Sequence, residues 1–370
     1  MKKSLIINLL FLNFIVSGCT TSPPLPQVSS SNSPIGIQSP VILNSVSPSP
    51  FVLPIPSPSP KIESPEKIAF MSNRDGFWDI YMMNSDGSAQ IRLTHDEMKG
   101  PFAFSVSPDS KKISYISDKS GNPELWVMDI TTNEITQITE TEVVDEGSPS
   151  WSTDGENIIF HSNANNINLY QIIEVDFPVK NKIPKFQLLY SDGKINALHP
   201  VYSPDGSSLL YSAVDSNGAT TLHIYSFFNK KDLAITKKDD QAINGSWSKD
   251  GKTIIYWTNS NGIFRINTDG TDNAQIGTIK NIKGSPFFSP DGSKIIISRG
   301  FGFAEDYNVW IIDSDGRNPQ KLTTSGGISL GWFKNKVLVS PVTSSPTPTT
   351  SAIPSAKPST YIDPTDPIIN

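Results

Sequence analysis

The chain has 370 residues, with 30 Lys plus Arg against 36 Asp plus Glu, a single Cys and four His. One Cys excludes an intrachain disulfide, and no Cys/His spacing in the sequence predicts a zinc site. Nucleic-acid binding depends on clustered positive charge, so an acidic chain without a Lys/Arg block argues against DNA or RNA as a partner. No cofactor is predicted.

The N-terminus has the pattern of an export signal. Two lysines precede an apolar run over residues 5–16, which is shorter than the roughly 20 residues that span a bilayer. The run ends in Val16-Ser17-Gly18-Cys19, which resembles the lipobox of bacterial lipoproteins. This resemblance implies that residues 1–18 are a signal peptide and that Cys19 is lipidated. We therefore expect a mature protein anchored to a membrane of the cell envelope, on its periplasmic or extracellular side.

Two segments lack the composition of a folded core. Residues 19–65 and 341–370 together hold most of the 30 prolines, mixed with Ser and Thr. Such sequences cannot bury enough apolar surface to fold and favour extended conformations. We predict a tether over 19–65, a folded domain over 66–340 and a disordered tail over 341–370.

Between the tails the sequence repeats at intervals of 41 to 51 residues. The repeated element is a Ser-x-Asp turn, usually closed by Gly and preceded by a large apolar residue. It occurs at Ser107–Ser110, Ser152–Gly155, Ser203–Gly206, Ser248–Gly251 and Ser289–Gly292, and a degraded copy follows Trp332. A period in this range is typical of propeller blades.

Each turn is followed by three short runs with the pattern of β-strands. The second of these runs is predicted at 79–82, 125–128, 168–171, 223–225, 263–266 and 309–312, and the last usually ends in an apolar residue and Thr. With the strand before the turn, this gives four strands in each repeat, the size of a propeller blade. The repeat intervals close after six blades if the strand near Ile328–Phe333 completes the N-terminal blade. We predict an all-β, six-bladed β-propeller.

The repeat resembles the β-propeller repeats of the TolB family. The resemblance rests on the Ser-Pro-Asp-Gly turns, the loop Ser72–Gly76, the strand Asp79–Tyr81 and the ending Leu93-Thr94, and it covers residues 66–340. It implies a binding platform, since in TolB the propeller binds peptide segments and a peptidoglycan-associated lipoprotein. Because a Pro-rich tether precedes residue 66 here, we expect a TolB-like lipoprotein rather than TolB itself.

Several motifs have the form of catalytic or metal sites but are better explained by the fold. The repeated turn aspartates are expected to accept hydrogen bonds from nearby backbone amides. Gly327–Gly331 matches the G-x-S-x-G pattern, but no His follows Ser329 to serve as its partner. Asp313–Gly316 resembles part of a calcium loop and lacks the closing Glu. No catalytic residue and no metal ligand is predicted.

Two groups of loop residues are the candidates for a binding surface. Aromatic side chains are expected in loops between the second and third strands of a blade, at Phe77, Trp78, Phe301 and Phe303. Acidic side chains are expected in a link between blades, at Glu142, Asp145 and Glu146. Both kinds of loop lie on one face of a propeller, around the mouth of its channel. Exposed aromatic groups beside charges are typical of interfaces.

The sequence therefore favours a lipid-anchored, non-catalytic binding module with a protein or peptide partner. The alternatives are an enzyme that uses the channel, such as a hydrolase or lyase with a hard metal like calcium, and a propeller that binds glycans. Both rest on analogy between folds.

Overall fold

The structure is a computed structural model that describes residues 66–100, 103–141, 146–164, 168–178, 186–258, 262–300 and 306–333. Within these ranges the strands form six antiparallel sheets of four strands each. Among the described residues, a 3-10 turn at Lys238–Asp240 lies outside the sheets.

We number the sheets as blades 1 to 6 and order the strands of each blade from the propeller axis outward. Blade 1 consists of β24 (Ile328–Phe333), β1 (Lys67–Ser72), β2 (Asp79–Asn84) and β3 (Ile91–Arg92). Blade 2 consists of β4 (Phe104–Val106), β5 (Lys112–Ser117), β6 (Glu124–Asp129) and β7 (Ile135–Gln137). Blade 3 consists of β8 (Glu146–Trp151), β9 (Asn157–Ser162), β10 (Gln171–Asp176) and β11 (Phe186–Tyr190). Blade 4 consists of β12 (Asn196–Tyr202), β13 (Ser208–Val214), β14 (Thr220–Ser226) and β15 (Asp232–Ala234). Blade 5 consists of β16 (Ala242–Trp247), β17 (Thr253–Thr258), β18 (Gly262–Asn267) and β19 (Ala274–Ile276). Blade 6 consists of β20 (Ile282–Phe288), β21 (Lys294–Arg299), β22 (Asn308–Asp313) and β23 (Gln320–Lys321).

The ring closes as the repeat intervals predict. Strand β24 pairs with β1, with Ile68 opposite Trp332, so the last strand completes the first blade. The first strands of successive blades contact one another around the whole ring, from β4 through β8, β12, β16, β20 and β24 back to β4. Closure leaves no exposed edge between the two ends of the domain. The six-bladed fold is confirmed.

The hydrophobic core is divided among the six joints between neighbouring blades. Each joint has its own cluster of buried side chains, and each cluster draws residues from two adjacent blades. In alternate blades a Trp at the end of the first strand strengthens the joint by donating its indole N–H to a carbonyl of the preceding blade: Trp151 to Ser105 (3.2 Å), Trp247 to Val201 (3.3 Å) and Trp332 to Phe287 (3.5 Å). The large apolar residue before each turn is thus a contact between blades.

The Thr at the end of the outer strand has a structural role. Its Oγ1 accepts a hydrogen bond from a backbone N–H near the start of the third strand: Thr94 from Ile80 (2.9 Å), Thr139 from Leu125 (2.8 Å), Thr236 from Leu222 (2.8 Å) and Thr323 from Val309 (3.0 Å). The bond satisfies an amide that lies beyond the short fourth strand. It explains why an apolar residue and Thr recur at this point of the repeat.

Blade 3 departs from the predicted strand positions. The run at 168–171 was predicted as its third strand, but β10 begins at Gln171 and runs to Asp176. All six residues of β10 pair with β9, which places Ile173 and Val175 in the joint with blade 2. The register of a strand is set by which of its residues are buried. Because the loop before Gln171 is longer than predicted, the strand begins three residues later in the chain than the predicted run at 168–171.

Candidate functional site

The two faces of the propeller carry different connections. Because the strands alternate in direction, the loops between second and third strands and the links between blades emerge on one side, which we call the link face. The Ser-x-Asp turns and the outer hairpins emerge on the opposite side, the turn face. Contacts across the link face join the two kinds of connection: Lys119 Nζ lies 3.0 Å from Asp96 Oδ2, and Lys238 Nζ lies 2.6 Å from Asp215 Oδ2.

Among the described residues of the predicted binding surface, Phe77 is the exposed aromatic side chain. It lies in the loop between β1 and β2, and 47% of its surface is accessible. The preceding Gly76 has a φ of 103°, a conformation open to glycine, and this turn directs the chain out of the sheet just before Phe77.

Trp78 is buried, contrary to its expected place on an exposed surface. Only 7% of its surface is accessible, and it packs in the joint between blades 1 and 2 with Met71 and Met98. Its backbone N–H donates to the Met98 carbonyl at 3.0 Å. Period-2 alternation explains the difference, because neighbouring residues entering a strand point to opposite sides.

Glu146 is also buried, so it does not belong to an exposed acidic link. It begins β8, and 8% of its surface is accessible. Its Oε2 lies 2.6 Å from Thr139 Oγ1, and Thr139 Oγ1 is also 2.6 Å from Glu124 Oε2. Burial and the neighbouring Glu124 raise the pKa of Glu146 from 4.5 to about 7.

The geometry around Thr139 explains how two carboxyl groups share one hydroxyl. Thr139 Oγ1 already accepts the Leu125 N–H at 2.8 Å, and it has a single proton to donate. If that proton goes to Glu124, the contact with Glu146 requires a proton on Glu146. A protonated Glu146 satisfies all three groups, in agreement with its raised pKa.

The remaining predicted site residues, Cys19, Glu142, Asp145, Phe301 and Phe303, lie outside the described residues. Their roles remain predictions.

The turn aspartates are structural, as predicted. In every copy the Ser hydroxyl donates to the Asp at 2.5 to 2.7 Å. The same carboxylate accepts the backbone N–H two residues later, for example Lys111 N–H to Asp109 at 3.0 Å. These hydrogen bonds hold the pKa of Asp154, Asp205 and Asp291 below the ordinary value. The G-x-S-x-G match likewise falls on β24 rather than on a turn between a strand and a helix.

The structure joins two histidines that the sequence shows as scattered. The rings of His161 and His199 meet edge to face across the joint between blades 3 and 4, with centroids 5.5 Å apart and planes at 76°. The Tyr170 ring lies 5.5 Å from His161. Ser148 Oγ lies 2.6 Å from His199 Nδ1, and the His199 backbone N–H points at His161 Nδ1 at 3.4 Å. We call Ser148, His161 and His199 the histidine cluster.

β-Bulges in the first strands position Ser148 and His199, and His161 faces Gly147 from the second strand of blade 3. The register against the second strand shifts near Ser148 in blade 3, near His199 in blade 4 and near Asn244 in blade 5. These three residues have φ values of 49°, 52° and 56°. The bulges occupy equivalent positions in successive blades, so they turn equivalent residues toward the neighbouring blade. A comparison of the repeats at this position is the signal that could have identified the cluster from the sequence.

Both histidines are neutral at physiological pH. Burial lowers the pKa of His199 to about 4, and burial with the neighbouring His199 lowers the pKa of His161 well below 6.5. Both side chains nevertheless keep partial solvent exposure. An imidazole with a pKa near 4 is a weak general base at neutral pH. The cluster is therefore better suited to binding than to activating Ser148 as a nucleophile.

The turn face has shallow grooves between blades. One of about 300 Å³ lies between blades 3 and 4 and is lined by Glu174, Tyr202 and Phe227. Another of about 470 Å³ lies between blades 4 and 5, beside Trp247 and Asp250. Within the described ranges, no three side chains among His, Cys, Asp and Glu converge on a metal position. In the same part of the chain, no helix has the length and apolar character required to cross a membrane.

Comparison with known proteins agrees with this architecture. The sequence model of the TolB beta propeller domain matches residues 46–182 and 103–329. The Tol-Pal system protein TolB of Francisella tularensis subsp. mediasiatica is 29% identical over 102 residues, which are 27% of this chain and 23% of that protein. A protein TolB homolog of Chlorobium luteolum is 26% identical over 144 residues, 39% of this chain and 30% of that protein. The matches thus span less than a third of these relatives.

The crystal structure of TolB from Acinetobacter baumannii superposes with a TM-score of 0.61 at 22% identity, covering 73% of this chain and 66% of that one. At this identity the superposition concerns the fold alone. The sequence match over two overlapping segments covers most of the chain. The chain therefore belongs to the TolB β-propeller family.

Proposed function

We propose that the protein is a lipid-anchored, non-catalytic binding module of the bacterial cell envelope, which presents the link face of its propeller to a protein or peptide partner. The observation that carries the proposal is the exposed Phe77 on that face, 47% accessible beside a well-packed blade. Exposed aromatic side chains on rigid supports are typical anchors of protein interfaces.

The buried carboxylates at the starts of β2 and β6, on the side of the link face, support a binding role rather than catalysis. Asp79 is fully buried, and its carboxylate accepts hydrogen bonds from Arg92 at 2.6 Å and from Thr94 at 2.9 Å. Glu124 accepts from the N–H of Thr141 at 2.6 Å and from its hydroxyl at 2.8 Å. Buried carboxylates bound in this way stabilise the blade edge and are not free to exchange protons with a substrate.

The envelope location rests on the sequence. The lipobox-like segment ending at Cys19 supports export and lipidation. The relationship to Tol-Pal system proteins supports a protein partner. Two or more acyl chains hold a protein stably at a membrane, whereas one gives marginal binding. The tether over 19–65 would then separate the propeller from the lipid surface.

Partner capture in living cells tests the binding surface. Full-length protein is crosslinked in its host, and the captured proteins are identified by mass spectrometry. Phe77→Ala should reduce capture of a dominant partner at unchanged protein level. Phe228→Ala is the matched control, because Phe228 is 95% accessible on an outer hairpin of the turn face. Equal capture by Phe77→Ala would contradict the proposed surface, and capture of the protein alone would favour a glycan or small ligand.

Cys19→Ala tests the anchor separately. The variant should lose incorporation of a labelled fatty acid and leave the membrane fraction, while its propeller stays folded. An unlipidated wild-type protein would contradict the anchor without affecting the assignment of the binding surface.

A further inference from the structure

We propose that His161 and His199 bind one borderline divalent transition-metal ion, Cu²⁺, Ni²⁺ or Zn²⁺, in the joint between blades 3 and 4. The proposal concerns a ligand of the propeller itself and is independent of any partner on the link face. It rests on the geometry of the histidine cluster, on the glycine that leaves space for the His161 ring and on the chemistry of the imidazole nitrogen atoms.

The separation of the two rings suits a shared ion. Zn–N bonds are about 2.0–2.1 Å long, so two imidazoles on one tetrahedral ion have centroids roughly 5 Å apart. The observed centroid distance is 5.5 Å, with the rings nearly perpendicular. Side-chain rotation alone can close a difference of this size.

Ser148 orients one of the rings. Its Oγ lies 2.6 Å from His199 Nδ1, so the hydroxyl oxygen can accept a hydrogen bond from Nδ1–H. That tautomer leaves the lone pair of Nε2 available. Metal-binding histidines commonly donate their other ring N–H to an oxygen atom, which fixes both the tautomer and the ring orientation. Ser148 is therefore a positioning residue of the proposed site.

His161 is the less firmly hydrogen-bonded of the two rings. Its Nδ1 meets the His199 backbone N–H at 3.4 Å, a long contact that a metal–nitrogen bond can replace. Its ring occupies the space that a side chain at residue 147 would need, because a Cβ on Gly147 would lie 2.5 Å from Nε2. A glycine opposite His161 thus keeps the imidazole in the joint between the blades.

The donor atoms determine which ions fit. Imidazole nitrogens suit Zn²⁺, Cu²⁺ and Ni²⁺, whereas Ca²⁺ and Mg²⁺ require oxygen ligands. Within the described ranges no third His, Cys, Asp or Glu joins the pair, so the remaining positions are left to water. Among divalent ions such a site should prefer Cu²⁺.

The repeat supplies substitutions that the fold already accepts. Asn244 occupies the bulge position of His199 in blade 5 and has the same left-handed backbone. Ser212 faces Leu198 in blade 4 as His161 faces Gly147 in blade 3. His199→Asn and His161→Ser should therefore remove the ligands without unfolding the blades.

Titration of the full-length protein with Cu²⁺ tests the proposal. Binding is monitored by calorimetry and by electron paramagnetic resonance. We expect one Cu²⁺ per chain, with hyperfine splitting from two imidazole nitrogens. His199→Asn and His161→Ser should each weaken binding at least tenfold, and Ser148→Ala about tenfold through loss of ring orientation. His95→Ala and His223→Ala are the controls and should bind as the wild type does.

Three results would overturn the proposal. The first is the absence of stoichiometric Cu²⁺ binding by the wild-type protein. The second is binding that persists in His161→Ser and His199→Asn, and the third is binding that is lost in His95→Ala or His223→Ala. Circular dichroism of each variant separates lost ligands from lost fold.

Discussion

Replacing Glu146 with Gln is expected to stabilise the folded domain at alkaline pH and to leave its stability unchanged in acid. Glu146 is buried at the joint between blades 2 and 3 and shares the Thr139 hydroxyl with Glu124. Its pKa is raised from 4.5 to about 7, chiefly by burial. The folded protein therefore binds this proton more tightly than the unfolded chain does.

The sign and size of the effect follow from linkage. Between pH 4.5 and pH 7 the folded state holds more protons than the unfolded state, so the free energy of unfolding falls as the pH rises through this window. Each unit of difference in pKa corresponds to about 1.36 kcal/mol, so the full loss above pH 8 is on the order of 3 kcal/mol. Gln cannot ionise, and its amide can donate to Thr139 Oγ1 as a protonated carboxyl group does.

Urea denaturation measures this effect. The wild-type protein and Glu146→Gln are unfolded at several pH values between 4.5 and 8.5, and unfolding is monitored by tryptophan fluorescence. The difference in unfolding free energy should be smallest at pH 4.5 and should grow to on the order of 3 kcal/mol in favour of Glu146→Gln above pH 8. Glu134→Gln is the matched control, because Glu134 is exposed in the hairpin between β6 and β7. A difference that does not vary with pH, or an equal response in the control, would refute the shared-proton arrangement.

Three further predictions concern packing and local hydrogen bonds. Trp247→Phe removes the indole N–H that donates to the Val201 carbonyl. Measured by urea denaturation, it should lower the free energy of unfolding by about 1 kcal/mol more than Trp257→Phe does. Trp257 is the control because its buried indole N–H has no partner among the described residues. Gly147→Ala places a Cβ 2.5 Å from His161 Nε2 and should lower the free energy of unfolding by about 1–3 kcal/mol. Gly331→Ala should be tolerated, because its Cβ would meet nothing closer than 3.8 Å. Asp291→Asn weakens a turn whose carboxylate has a lowered pKa, so its destabilisation should be present at neutral pH and should vanish as the pH falls below the ordinary Asp range; a constant difference across an acid titration would contradict this.

The architecture was predictable from the sequence because it is written in local, repeated signals. The Ser-x-Asp turns fix where each first strand ends and each second strand begins, and their spacing fixes the number of blades. The intervals also identified Ile328–Phe333 as the strand that closes the ring. The family relationship followed from the same residues. The structural role of the turn aspartates was predictable as well, since their partners lie within two residues.

The tertiary structure decided what depends on contacts between blades. Trp78 and Glu146 look like loop residues in the sequence, but the joints with neighbouring blades bury both. His161 lies on the second strand of blade 3, and His199 lies at the bulge in the first strand of blade 4. They are 38 residues apart in the chain and meet at the joint between these two blades. A repeat encodes the strands of one blade, whereas packing between blades depends on register and on side chains from two repeats at once. The raised pKa of Glu146 and the histidine cluster both arise at such joints, and for that reason the sequence alone did not reveal them.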